Sequence, residues 1–321
     1  MTNKDKYNLF LEKNTVSIYN QPWWMDAVCL PENWDVWVYE KGGIVMAAMP
    51  YYIEMRGPYK YITKAPLTQT NGLQIWYPDN QRICSRQSYE EEVIEAANAY
   101  IESLGVDVYE QQFKHEFTNW LPFFWNGYTA IPRYNYVIED TSSIDVIKAG
   151  FTKSYRNKIK NAQKRIKEIV ELSGDEFWEN YMRVYARQGI GCSFPKELFD
   201  RLYRACIEHE QGKAFGALNF EGEITSIIYL VWDDTSVYRL MGGYMVEHSS
   251  DESYSALTFY AMEMAVKMKK KFDFEGSVIR RINRSVREYG AEPQMYFRIR
   301  KVFNRDIIEM EAKKQIDLLK L

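Results

Sequence analysis

The sequence predicts an α/β fold of the mixed (α+β) kind, arranged as two domains of similar size. Three observations predict it. The first half reads as a strand hairpin, a helix and a further strand; a polar break follows at Thr141-Ser142-Ser143; and the second half repeats that theme in coarse outline. Strands interleaved with helices in this way imply mixed sheets covered by helices. A chain of 321 residues is long enough to bury two cores. The expected domains are residues 1–145 and 146–321.

In order, Pro22 to Val28 reads as a short helix with proline in its first turn. Trp34 to Tyr39 alternates and meets Lys41-Gly42-Gly43, a hairpin signal, before Ile44 to Met49; strand-like sequence runs on through Tyr61-Ile62. Glu90 to Leu104 is predicted helical, with Val93, Ile94, Ala97, Ile101 and Leu104 on one face and Gly105 at its end. Val106 to Tyr109 and Tyr134 to Glu139 read as strands. Beyond the break, helices are expected over about Ser154 to Glu171, Asp175 to Ala186 and Lys196 to Glu210. Strands follow over Ala214 to Phe220, Ile224 to Trp232 and Val237 to Met245, with Gly222 turning the first pair. The next helix carries the fullest specification. Ser249 and Glu252 have capping-box spacing, Leu257, Ala261, Met264, Ala265 and Met268 share a face, and Lys269-Lys270-Lys271 closes it against the helix dipole.

Bulk composition excludes several classes. The formal net charge of −3 argues against a dedicated nucleic-acid binder such as a DNA-binding protein. No apolar run approaches the roughly 18 residues of a membrane span, and Met1 to Lys6 lacks the apolar segment of a secretory leader, so a cytoplasmic protein is expected. Cys29, Cys84, Cys192 and Cys206 are scattered, as are the three histidines, so neither a disulfide framework nor a metal site is expected. The 25 tyrosines and 9 tryptophans fit either an aromatic-lined groove or a core filled with tyrosine.

Four stretches carry candidate chemistry. In Phe272-Asp273-Phe274-Glu275, period-two alternation puts Asp273 and Glu275 on one face of a strand. Such a pair can raise one pKa and furnish a general base for an attacking ammonium, or can be an outer face paired with Arg280, Arg281 and Arg284. Gly276-Ser277 just after it can admit a ligand's backbone. Gly242-Gly243 lies inside a strand, which implies a bulge or a close ligand approach. Lys148 to Lys167 holds eight cations and no acid; with Phe151, Tyr155, Ile159, Ala162 and Ile166 on one stripe, its outer face can hold phosphates through Arg156 and Lys160 or simply be solvated. Arg187-Gln188-Gly189-Ile190-Gly191 is too sparse for a phosphate loop.

The order Tyr238-Arg239-Leu240-Met241-Gly242-Gly243, long helix, Phe272 to Ser277, Tyr289-Gly290-Ala291-Glu292 and Tyr296-Phe297-Arg298-Ile299 resembles the second half of Fem-type transferases, within the GNAT N-acyltransferase superfamily. The resemblance covers most of the second half and, loosely, the first. It implies two GNAT-like domains in tandem. It also implies transfer of an acyl or aminoacyl group, from acyl-CoA or aminoacyl-tRNA, onto an amine of a cell-envelope or surface-polysaccharide precursor. Glu275 or Asp273 would then be the base; Arg156, Lys160 and Arg187 would hold phosphates; Gly242, Gly243 and Tyr296 would contact substrate. The partners would be that small-molecule precursor and possibly tRNA.

The chain also departs from the family. The glycine-rich pyrophosphate loop of coenzyme A users is replaced by Glu247-His248-Ser249-Ser250-Asp251-Glu252, whose acids would repel a pyrophosphate. The Phe-Lys pair that Fem-type enzymes place before Phe-Gly is Ser285-Val286 here, so the family lysine is missing, and Arg287 cannot act as a base. No heptad segment marks a coiled-coil arm. These departures keep a second reading open, a catalytically silent GNAT fold that binds a ligand or partner; an RNA-binding module using the cationic helix is a third, disfavoured by the acidic balance.

Overall fold

In the structure, a computed structural model that describes residues 1–188, 191–276 and 280–319, the chain gathers into two compact units. The first comprises Met1–Thr15, Cys29–Arg133 and Met295–Leu321, the second Val16–Val28 and Tyr134–Gln294. The elements begin with α1 (Asn3–Leu11), α2 (Pro22–Cys29), β1 (Trp34–Lys41), β2 (Ile44–Arg56), β3 (Tyr59–Thr63), β4 (Gln74–Ile75) and α3 (Ile83–Ser103). Next come β5 (Val108–Gln112), α4 (Leu121–Trp125), β6 (Thr129–Ile138), α5 (Ile144–Gly150), α6 (Lys153–Ala162), β7 (Ile166–Leu172), α7 (Gly174–Gln188) and α8 (Lys196–Glu208). The chain continues through β8 (Gly212–Asn219), β9 (Ile224–Trp232), β10 (Ser236–Tyr244), α9 (Ser253–Met268) and β11 (Lys271–Asp273). It ends with α10 (Arg280–Arg287), β12 (Glu292–Val302) and α11 (Arg305–Leu319).

In the first unit β1, β2 and β3 form an antiparallel meander, β5 runs parallel to β3, and β12 lies antiparallel to β5. A parallel pair needs a long crossover, and α3 is part of it. Its buried face, Val93, Ile94, Ala97 and Ile101, shares one core with Tyr51, Ile62, Tyr109 and Ile299.

The second unit repeats that order. Strands β7 to β10 form the meander, α9 is the crossover, β11 runs parallel to β10, and β6 lies antiparallel to β11. Leu257, Ala261 and Ala265 of α9 pack in one core with Ile228, Leu230, Phe272 and Phe274, and α6 adds Tyr155 and Ile159. The α/β reading with mixed sheets is thus met.

Two local expectations are corrected. The helix expected from Ser154 to Glu171 stops at Ala162. Thr152 caps α6 by accepting from the Tyr155 amide, and Phe151, Tyr155, Ile159 and Ala162 are buried as the stripe requires. Beyond the cap, Ile166, Ile169 and Val170 are β-branched, and they pair as β7 with β8, Ile169 opposite Ala217. The capping box at Ser249 is also absent. Ser249 closes a short 3-10 turn (Val246–His248), and α9 starts at Ser253 behind Glu252, whose backbone is left-handed and whose side chain caps nothing.

Tyrosine fills the cores. Tyr7, Tyr19, Tyr51, Tyr109, Tyr128, Tyr155 and Tyr229 are all fully buried. Several of their hydroxyls are paired inside: Tyr51 with Tyr100 at 2.8 Å, Tyr109 with Gln111 at 2.9 Å, Tyr155 with the Ser255 carbonyl at 2.8 Å.

Gly290 ties the loop after α10 to the end of α5. Its φ is +73°, and a Cβ there would lie 2.6 Å from the Gly150 carbonyl oxygen. Gly290→Ala is therefore expected to lower stability by about 2–4 kcal/mol, from left-handed strain plus the clash. Urea titration checks it; a loss under about 0.5 kcal/mol would show that this contact separates freely.

Candidate active site

In the second unit, β10 and β11 pair in parallel only from Ser236 to Tyr238 against Lys271 to Asp273, while β10 continues along β9 to Tyr244. A bulge between Arg239 and Met241 bends β10 just where the two strands part. Asp273 sits at the last paired position, opposite Tyr238.

Asp273 is 7 % exposed. Its Oδ2 accepts from Asn135 Nδ2 at 2.8 Å and its Oδ1 from the Glu275 backbone N–H at 2.7 Å. Burial pushes its carboxyl up to about 7, with Asp233 and Glu139 adding to the rise and the two donors opposing it. The elevated carboxylate pKa expected of this stretch is present, but it comes chiefly from desolvation.

Glu275 does not continue the strand. Strand β11 ends at Asp273, and Glu275 takes a left-handed backbone with φ +58°. The short bond from its amide to Asp273 supports that conformation, which costs a non-glycine residue about 1 kcal/mol. Its half-buried side chain accepts a hydrogen bond from the Tyr19 hydroxyl. Phe272 and Phe274 face the core as the alternation requires.

Tyr19 reaches Glu275 from a 3-10 turn (Ile18–Asn20) ahead of α2. Its ring lies 5.1 Å from that of Tyr238 and 5.2 Å from that of Trp24. Burial, then the nearby Glu275 and Tyr238, push its phenol well above the usual range, so it stays a donor. Asp233 anchors the arrangement: it accepts from the Ile18 amide at 3.1 Å, the Thr235 and Ser236 amides, and the Tyr238 hydroxyl at 2.8 Å. Tyr19, Asn135 and Asp233 were missed by sequence reasoning. Nothing near them in the chain signals the role, because their partners lie more than 100 residues away or depend on the strand register.

The glycines expected to admit ligand are filled by protein. A Cβ on Gly242 would lie 2.7 Å from the Ile227 carbonyl and 3.0 Å from the Tyr254 hydroxyl; one on Gly243 would lie 2.6 Å from Val184. Gly276 similarly makes room for the Tyr134 carbonyl. Each glycine answers to close packing of strand against α7, α9 or β6.

Arg156 and Lys160 are exposed on the outer side of α6. A groove of about 1010 Å³ is lined instead by Lys158 and Thr152 together with Arg280, Arg284, Ser285, Arg287 and Glu288. Lys158 is bound to Glu288 at 2.7 Å. The side chain of Arg187, together with Ser277, Gly189 and Ile190, lies outside the described residues. Tyr296 belongs to the first unit, where it is buried and donates to Gln112 at 3.2 Å. The loop at Glu247 to Glu252 is closed by ion pairs of Glu247 with Arg183 and of Asp251 with Arg165 at 3.2 Å, and by a hydrogen bond between Asp251 and the His248 ring at 2.9 Å. Val286, at the position of the family lysine, is 2 % exposed.

Residues 153–299 match the family described as "Acetyltransferase (GNAT) domain". Over this stretch the chain is similar to that family. Whole-chain likeness extends to solved structures. One is FemX, with TM-score 0.70 and 11 % identity over 97 % of this chain and 98 % of that one. Another is L-PGS from Bacillus licheniformis, with TM-score 0.55 and 12 % identity over 97 % and 96 %. A third is a tandem GNAT protein from the clavulanic acid biosynthesis pathway, with TM-score 0.53 and 10 % identity over 94 % of each chain. At such identities the likeness is one of fold, and the fold is that of the tandem GNAT proteins. No curated protein matches the chain in sequence. Among the described residues no helix is long and apolar enough to cross a membrane.

The raised Asp273 pKa has a signed consequence for stability. Between about 3.8 and about 7 the folded state holds this proton more tightly than the unfolded chain. Stability therefore falls as pH rises through that window, by an amount on the order of 4 kcal/mol. Asp273→Asn removes this dependence, so its stability relative to wild type should climb between pH 4 and 8. Urea unfolding across that range checks it, and a pH-independent difference between the two would contradict it.

Proposed function

We propose that the chain transfers an acyl or aminoacyl group to an amine of a cell-envelope or surface-polysaccharide precursor, with Glu275 as general base. The observation that carries this reading is the hydrogen bond from Tyr19 to Glu275, a residue at the parting of β10 and β11 inside the stretch similar to GNAT acetyltransferase domains. Glu275 takes a proton from the incoming ammonium. The freed amine attacks the donor's carbonyl carbon and the amide C–N bond forms; as the donor's ester or thioester bond breaks, the nitrogen's second proton passes to the departing oxygen or sulfur, which leaves as the alcohol or thiol. Tyr19 orients the carboxylate. Asp273 is a positioning residue, since both of its oxygens are engaged and its role is to hold the turn that presents Glu275. Chemistry of this kind depends mainly on placement of donor and amine.

The donor is inferred from resemblance and charge. Fem-type enzymes use aminoacyl-tRNA, and this chain's loop at Glu247 to Glu252 presents three acids and no glycine where coenzyme A users cradle a pyrophosphate. Arg165 and Arg183 bind into that loop without turning it into an amide cradle. Coenzyme A at about 1 mM, far above the micromolar Kd of a fitting site, should leave the thermal midpoint unchanged. A saturable rise lost on mutating that loop would overturn the exclusion.

One observation favours a silent binding protein instead: Val286 is buried in the core at the place where the resemblance puts a lysine. Kinetics separate the readings. Once a screen of nucleotide sugars and aminoacyl-tRNA yields turnover, Glu275→Gln should lower kcat at least about 100-fold while the protein still folds. Tyr19→Phe should lower it less and shift the pH profile, because it removes only the orienting bond. Near-normal turnover by Glu275→Gln would sink the base assignment.

A further inference from the structure

Arg239 has no role in the reaction just described. It follows Tyr238 on β10, one position beyond the last pairing with β11 and beside the bulge, so its side chain emerges on the opposite face from Tyr19 and Asp273. There it enters an aromatic layer. Its guanidinium carbon lies 4.9 Å from the Phe274 ring centroid and 5.9 Å from that of Tyr254. Tyr155 and Tyr289 complete the surroundings, their rings 4.4 Å apart, and both phenols lie close enough to act on the guanidinium electrostatically.

No carboxylate among the described residues pairs with it. The nearby acids are committed elsewhere: Glu288 to Lys158, Asp273 to Asn135, and Glu275 to Tyr19 on the other face. A half-buried guanidinium with five donors, surrounded by rings and phenols, is incompletely matched. Ion–π contacts offset part of the desolvation, but the planar fork remains suited to a carboxylate or phosphate. Further positive charge is close: Tyr289 touches Ser285 at 3.4 Å, and Ser285 lines the groove that also carries Arg280, Arg284 and Arg287.

We propose that Arg239 is an anion receptor, taking a carboxylate or phosphate of the bound ligand under the phenols of Tyr155, Tyr254 and Tyr289, where β10 and β11 part. The two anions share the recognition chemistry, planar or tetrahedral oxygens against the guanidinium fork. The inference does not rest on the transfer reaction, because a silent binding protein would use the same receptor.

Calorimetry on the full chain tests it with two probes, inorganic pyrophosphate and succinate, at matched ionic strength. Wild type should bind at least one of them saturably at one site, and which one identifies the anion. Arg239→Met, which replaces the charge by an apolar chain of similar length, should weaken that binding by roughly 30-fold or more. Arg284→Ala, in the groove, should change it less than about threefold, since a solvent-exposed cation is screened. If Arg239→Met does not fold, Arg239→Lys keeps the charge but loses the fork and should bind roughly tenfold more weakly. The proposal is overturned if wild type binds neither probe. It also fails if either Arg239 variant that folds binds as wild type does, or if Arg284→Ala alone abolishes binding.

Discussion

The second unit is organised by one hydrogen bond, from the Glu275 amide to the Asp273 carboxylate. A strand that continued past Asp273 would keep pairing with β10 and close the sheet. Instead the carboxylate captures the next-but-one amide at 2.7 Å, the chain turns left-handed, and the ladder stops. The turn brings Glu275 round to Tyr19 and leaves Arg239 beyond the pairing with β11. The buried carboxyl is costly to ionise, and the cost is borne where it shapes the site. Asn135 supplies a second donor, so the group is held in place whether or not it carries a proton.

A second buried acid, Asp233, plays a complementary part, with its two oxygens shared among more donors. Three amides and two hydroxyls converge on it, from the segment holding Tyr19 and from the turn that begins β10. It therefore joins residues far apart in sequence into one rigid corner. Tyr19 owes its position to this corner and to the tilted ring of Tyr238 packed against it. Loss of the corner would free the hydroxyl without touching Glu275.

Sequence periodicity was reliable wherever a face is buried. The faces of α3 and α9, the Phe272 and Phe274 alternation, and the hairpin turns at Gly42-Gly43 and Gly222 are all as read. It failed where two periods overlap. From Tyr155 to Ala162 the helical stripe is real, but Ile166, Ile169 and Val170 also satisfy a strand, and pairing with β8 decides between them. The candidate site was half readable. Asp273 and Glu275 stood out as acids in an apolar strand, whereas Tyr19, Asn135 and Asp233 act through contacts that only the fold creates. The glycines misled because a missing Cβ signals close approach without saying of what; here it is Tyr254, Val184 and the Tyr134 carbonyl.

The alternation along β10 divides the chemistry between its two faces. Tyr238 points to the side of Tyr19, Asp233 and Asp273, where the protonatable groups and their hydroxyl donors gather. Arg239 points to the side of Phe274 and the tyrosines, where its half-buried guanidinium faces rings and no carboxylate among the described residues pairs with it. An acid–base group and a fixed cation placed on one face would neutralise each other, lowering the basicity of the first and occupying the second. Separation by the strand keeps the two apart. In the proposed reading a single ligand would meet both faces where the pairing of β10 with β11 ends, so the turn at Glu275 would set the approach to the proposed base and to the proposed anion receptor together.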